Sequence, residues 1–306
     1  MRKAVDAAQI VEDAALATGA AIAMLDAVVR RDERWAGAWR QRLALAAAAV
    51  TARQAGRVED EAALRDSLLL ARPGDFLSVG PGGLLLLGWR RLAARPAEAL
   101  LTQKSLAAVL EEFGFFARHG AAVSDLADEL RQLAVSAGAV GMLTGAFMAA
   151  ERRGYERFLG AWLADTLLAQ RLGWAHAVPL LGAEAALGTS ARPRRSAASF
   201  VATSIETNSE HAKSLLAAQA RAPLRAIDLS AELERRADRL LAVAPKLRAK
   251  AADAVVEKLL SDDAIVASEN IAGMSDRGLR RLFDRLSELG AVRELSGRST
   301  FRIYGI

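Results

Sequence analysis

Residues Ser275–Ile306 read SDRGLRRLFDRLSELGAVRELSGRSTFRIYGI, and the fold of the chain hinges on them. Ser275 is placed to cap a helix through its hydroxyl, and Asp276 in the first turn suits the positive end of the helix dipole. Leu279, Leu282, Phe283, Leu286 and Leu289 recur every three or four residues and make one apolar stripe. Gly290 follows, where helices commonly stop. At about 100° per residue, Arg277, Arg281, Asp284 and Glu288 fall opposite the stripe, with Arg280 and Arg285 on its flanks. Taken alone, such a face suits ordinary solvation as well as it suits a ligand.

The next stretch shifts that balance. Val292–Leu295 and Thr300–Tyr304 are rich in strand formers, and Gly297-Arg298 between them suits a two-residue type II′ turn. Pairing outward from that turn predicts Leu295 against Thr300, Glu294 against Phe301, Arg293 against Arg302 and Val292 against Ile303. Val292, Phe301 and Ile303 then share the core face, while Arg293 and Arg302 meet on the other. Helix followed by wing is the reading half of a winged helix-turn-helix. Arg277, Arg280, Arg281, Arg285, Arg293, Arg298 and Arg302 are the expected contacts, and double-stranded DNA is the expected partner.

Upstream of this stretch, Lys250–Leu260 reads as the first helix of the module and Ile265-Val266 as its first short strand. A helix-turn-helix also needs a scaffold helix before the reading helix. The intervening ASENIAGM leaves room for about two turns, with Ser268 as cap and Gly273 as stop. If that helix does not form, the domain is a degenerate winged helix suited to protein contact.

The rest of the chain is α-helical in composition. It has 306 residues, 52% of them hydrophobic and only 5% aromatic, with alanine and leucine dominant. Strand-like alternation is missing before residue 291. The fold class is therefore mainly α: an all-helical domain over 1–187, a basic linker with connecting helices over 188–248, and the winged helix over 249–306. Residues 1–187 carry 21 Lys+Arg against 21 Asp+Glu, and residues 188–306 carry 20 against 15, so the net +5 lies in the second part. A localised basic excess fits a polyanion partner. The expected boundary is Thr189–Ser196, where Pro193 and three arginines interrupt the apolar pattern.

The helical part predicts helices at Ala4–Arg31, from Asp32 to Gly56, Arg57–Ala71, Leu84–Arg95, Gln103–Phe113 capped by Thr102, Val123–Ala137, Ala139–Arg153, Tyr155–Leu172 and Val178–Leu187. Residues 72–83, RPGDFLSVGPGG, read as a loop. Ser199–Ala220 and Ser230–Val243 read as two helices interrupted around Pro223. The 19 residues Gln132–Ala150 are uncharged and contain a GxxxG at Gly141 and Gly145. They are too rich in alanine, glycine, serine and threonine for a membrane span, and close packing in the core is the better reading. Acidic residues 6, 12 and 13 break the N-terminal alanine-rich run, so no signal peptide is expected and the location is cytoplasmic.

No chemistry is spelled out. There is no cysteine, and phosphate-loop, Rossmann, HExxH and nucleophile-elbow patterns are absent. His119, His176 and His211 have no metal-ligand spacing, so no metal, cofactor or catalytic residue is expected. A core pairing of His176 with Glu184 is the one conceivable polar pocket. The five tryptophans at 35, 39, 89, 162 and 174 read as core anchors.

The segments VEDAALATGAAIAMLDAVVRRDERWAGAWRQRLALAAAAV, DEAALRDSLLLARPGD, LLAQRLGWAHAVPLL, RADRLLAVAPKLRAK and RRLFDRLSELGAVRELSGRSTFRIYGI resemble an uncharacterised bacterial domain-of-unknown-function family, often plasmid-borne. The resemblance covers nearly the whole chain and implies no assigned activity. The last segment also resembles the winged-helix tail of Fic-type adenylyltransferases, but the HxFxxGNGR motif is missing and adenylyl transfer does not carry over. Three functions follow. The first is a DNA-binding regulator or replicon-maintenance protein, whose helical part senses, recruits or forms a homodimer. The second is a protein-interaction scaffold, and the third an enzyme of unknown class sited in the helical part.

Overall fold

A computed structural model describes residues 11–71, 76–115, 120–184, 202–247, 251–298 and 300–306. The protein is mainly helical, with a small three-stranded antiparallel sheet near its end. The helices are α1 (Val11–Val29), α2 (Ala36–Gln54), α3 (Glu61–Leu69), α4 (Gly80–Ala94), α5 (Gln103–Glu112), α6 (Gly120–Ser136), α7 (Ala139–Arg152), α8 (Arg157–Leu172), α9 (Ala202–Val243), α10 (Ala252–Ser261) and α11 (Asp276–Glu288). The strands are β1 (Ile265–Val266), between α10 and α11, then β2 (Arg293–Glu294) and β3 (Ile303–Gly305).

Two helices form the centre. In α8 every residue from Phe158 to Ala169 is buried, and α2 is buried from Leu43 through Leu45 and Ala47 through Ala52. Helices apolar on all sides belong inside a bundle, and the small alanines of α2 let its neighbours approach closely. The expected tryptophan anchors are all buried. Each of the three most deeply buried satisfies its indole N–H: Trp39 donates to the Ala226 carbonyl at 2.9 Å, Trp89 to the Thr51 hydroxyl at 3.0 Å and Trp162 to the Gly88 carbonyl at 3.0 Å. One hydrophobic cluster runs from Ala14 in α1 through α11 to Ile306.

Several boundaries differ from the sequence expectation. The loop assigned to residues 72–83 holds a 3-10 turn at Phe76–Val79 and becomes α-helical at Gly80, because Pro81 fits the first turn, where its missing N–H costs nothing. The helix expected over Val178–Leu187 is, within the described residues, only a 3-10 turn at Leu181–Ala183. There Gly182 lies against Trp89, whose ring would be 2.3 Å from any Cβ. The break expected around Pro223 is absent: α9 runs through it for 42 residues. Buried Ala220, Ala222, Leu224 and Ala226 hold both sides of the proline in the core, and Ala220 and Leu224 pack with Ala17 and Ala21 of α1. That packing offsets the hydrogen bond the proline removes. The uncharged stretch 132–150 is divided between α6 and α7 at Gly138, and Gly145 packs onto Leu133. Among the described residues no helix is long and apolar enough to cross a membrane. The run Thr189–Ser196 and His119 lie outside the described residues, as does the side chain of His211.

The sheet has strand order β1-β3-β2. β1 falls where the sequence put it, but the expected hairpin register is wrong. Arg293 pairs with Gly305 and Glu294 with Tyr304, so Arg293 does not face Arg302. β1 lies along the other edge of β3, pairing Ile265 with Tyr304 and Val266 with Ile303. The cause is that β3 is covered on both faces. Ile303 packs with Val266 and, through that cluster, towards Leu69 of α3, while Tyr304 stacks on Phe283 of α11 with ring centroids 4.4 Å apart. With Ile303, Tyr304 and Ile306 all buried, Phe301 is left out at 67% exposure, in a left-handed backbone conformation with φ 53°. The longer loop is shaped by the Glu294 carboxylate, which accepts the backbone N–H of Ser296 at 2.8 Å and of Gly297 at 3.0 Å.

Between β1 and α11 the chain makes turns, not a helix. Glu269 donates to the Val266 carbonyl at 3.1 Å and Met274 to the Ile271 carbonyl at 3.0 Å. Gly273, at φ 81°, closes this segment. The room for a scaffold helix is therefore used differently.

Candidate nucleic-acid interface

The local sequence builds α11 as expected. Ser275 accepts the Gly278 N–H at 3.2 Å, so the helix starts at its cap. Leu279, Leu282, Phe283 and Leu286 are buried, and Phe283 is fixed by its stack on Tyr304 of the sheet. Arg277 and Arg281 on the opposite face, and Arg280 and Arg285 on its flanks, are all exposed. Arg285 pairs with Glu288 at 3.1 Å, a solvated pair of small energetic weight.

A cleft of about 400 Å³ separates α11 from the loop that leads into β3. Arg280 and Asp284 line it from the helix, and Thr300, Phe301 and Arg302 from the loop. Arg302 stands 3.9 Å from Asp284. The structure thus brings Arg280 and Arg302 to one cleft and keeps Arg277, Arg281 and Arg285 along the same helix. It sets the other two predicted residues apart. Arg298 is turned to the bundle, where it binds Asp66 of α3 at 2.8 Å and its Nε is buried without a hydrogen-bond partner. Arg293 is exposed beside the arginines of α9, in a separate cavity.

The module is held to the bundle by charge. Asp263, fully buried just before β1, binds Arg42 of α2 and accepts from the Arg65 Nε of α3 at 2.6 Å. Burial pushes the Asp263 pKa up, but the Arg42, Arg65 and Arg90 guanidiniums outweigh it and hold the carboxyl below its ordinary range. Arg90 of α4 has a buried Nε with no hydrogen-bond partner, and burial lowers its own pKa. Sequence reasoning missed this cluster. Its one local signal is the pair Asp262-Asp263 at the C-terminal end of a helix, where carboxylates face the negative end of the dipole and need cations.

The pairing of His176 with Glu184, conceivable from the sequence, does not form. Glu184 is buried against Arg221, at 3.1 Å, and Arg225 of α9. His176 bridges to Pro96 and borders an open cavity of about 970 Å³ with Trp174, Gln103 and Glu98. Its pKa is lowered, by burial first and then by Arg40. No group of three or more metal-ligating side chains exists among the described residues.

Among curated proteins and among solved structures, none matches the chain. Residues 3–306 match the sequence pattern of a family described as a protein of unknown function, DUF1403, and the chain belongs to that family.

Proposed function

We propose, for this member of a family without a described function, that residues 249–306 act as a winged-helix variant that binds double-stranded DNA. The role that fits is a cytoplasmic transcriptional regulator or replicon-maintenance factor. One observation carries the reading. Four arginines stand exposed on a capped helix whose other face is anchored by Phe283 on the sheet, and Arg302 flanks them across a cleft. Guanidiniums held on a rigid helix suit phosphate contact and bidentate contact to guanine. The order helix, strand, helix, strand, strand, with β3 central, matches a winged helix except for the scaffold helix, whose place over 267–274 is taken by turns. The basic excess in residues 188–306 supports the same partner.

A second reading has its own observation. Turns replace the scaffold helix over 267–274, and Phe301 is exposed at the cleft, a combination suited to a protein partner. Arg281→Ala decides between them. The change leaves stability within about 0.5 kcal/mol, as most surface changes do. On the DNA reading it weakens duplex binding and, if Arg281 contacts phosphate, lowers the salt slope by about one unit. Duplex retention equal to that of the parent at low salt rejects α11 as the reader and favours the protein-contact reading.

A further inference from the structure

A cavity of about 300 Å³ opens where α9 passes the turn between α11 and β2. Arg235, Arg236 and Arg239 reach it from α9 and Arg293 from the start of β2. Among the described residues that line it, Glu232 is the only carboxylate side chain. Four guanidiniums therefore face one carboxylate side chain and the Ile306 main-chain oxygen. Only the Glu232–Arg236 pair supports the helix; Arg235 with Arg239 and Arg236 with Arg239 are like charges one turn apart, which destabilises it.

Arg236 is the half-buried member. It is bound to Glu232 and donates to the Ile306 carbonyl at 3.2 Å, so its fork is fixed in the cavity wall. Its pKa is lowered, by burial first and by Arg293 second. Arg235, Arg239 and Arg293 are exposed, and none has an ion-pair partner among the described residues. The wall from Gly290 to Val292 is small and apolar, and no aromatic side chain among the described residues lines the cavity to stack a base.

We propose that this cavity is an oxyanion site that takes a phosphate or diphosphate group. Guanidinium forks match phosphate oxygens bidentately, and a multivalent oxyanion supplies the negative charge the site lacks. The site recognises the phosphate and not a nucleobase, because among the described residues that line it the only polar side chains are the arginines and the glutamate. It lies outside the α11 face and does not rest on the DNA reading. The phosphate belongs either to a free small molecule or to a DNA backbone passing α9.

The test uses the full chain with pyrophosphate as probe, by calorimetric titration and thermal shift, against potassium chloride at matched ionic strength. Saturable binding is expected, weakened roughly tenfold or more in Arg235→Gln and in Arg239→Gln, the loss of one charge-assisted contact. Both positions are exposed, so the variants fold. Arg281→Ala, which probes α11, leaves pyrophosphate binding unchanged. If pyrophosphate also displaces a bound duplex and the α9 variants weaken duplex binding, the site takes the DNA backbone; if neither happens, it takes a free phosphate ligand. A response no larger than that to chloride, equal binding by both α9 variants, or an equal loss in Arg281→Ala reduces the effect to general surface charge and overturns the proposal.

Discussion

Asp263 shows how much one side chain can carry. Two arginines, with side chains 15% and 10% exposed, converge on a carboxylate with no exposure at all. Removing one partner of a buried ion pair strands the other charge, at about 3–5 kcal/mol. Asp263→Asn is therefore expected to lose stability of that order in urea denaturation at pH 7. The folded pKa lies below the unfolded one, near 3.9, so the contribution is present above about pH 4 and fades as pH falls through the folded value. The gap between parent and variant should narrow as the pH approaches 3. Asp165 runs the other way. It is buried with backbone N–H donors from Leu180 at 2.8 Å and Leu181 at 3.0 Å, and burial raises its pKa well above the ordinary value in spite of them. Its stabilising share is complete below the unfolded pKa and lost as pH rises through the folded one. Asp165→Asn should be more stable than the parent at pH 7, by a margin that shrinks toward pH 4; an unchanged margin across that range would sink this account. Neither role was legible in the sequence, since Arg42 and Arg65 lie 221 and 198 residues from Asp263. Only the misplaced acidic pair at a helix end hinted at a partner.

At the scale of elements, what was legible is what local chemistry decides. The cap at Ser275, the apolar stripe of α11, the Thr102 cap of α5 and β1 at Ile265-Val266 all follow from residues within one or two turns. The hairpin register did not follow, because alternation reports register only where one face of a strand meets water. β3 has bundle on one side and α11 on the other, so its pattern Ile-Tyr-Gly-Ile holds no alternation to read. Two substitutions check the observed register. Phe301→Ala should change stability by less than about 0.5 kcal/mol, as an exposed side chain. Tyr304→Ala should cost about 3–5 kcal/mol, in line with other large buried aromatics. The opposite ranking in thermal denaturation would restore the register with Phe301 on the core face. The continuity of α9 through Pro223 was equally hidden, because a proline breaks a helix locally unless distant packing holds both flanks, and α1 lies about two hundred residues away by the Thr18–Leu216 contact.

Across the whole molecule, the candidate reading helix is fixed to the body and not tethered to it. α2 and α10 touch so closely at Gly37 that a Cβ there would lie 2.7 Å from the Ser261 carbonyl oxygen and 2.8 Å from its Cα. Backbone cannot swing aside as a side chain can, so Gly37→Ala is expected to cost roughly 1–3 kcal/mol and to speed hydrogen exchange in α10 first. Uniform exchange in that variant would show that the contact does not hold the module. The same joint bears on how the module can be dissected. Arg42, Arg65 and Arg90 come from three helices of the body, and their shared anion comes from the module. Deleting residues 251–306 would leave a bare triad of guanidiniums on the stump, a new polyanion trap that the intact protein keeps plugged. A truncated body that still clings to DNA would thus be a false acquittal of α11, and point substitutions are the only clean assay of the interface.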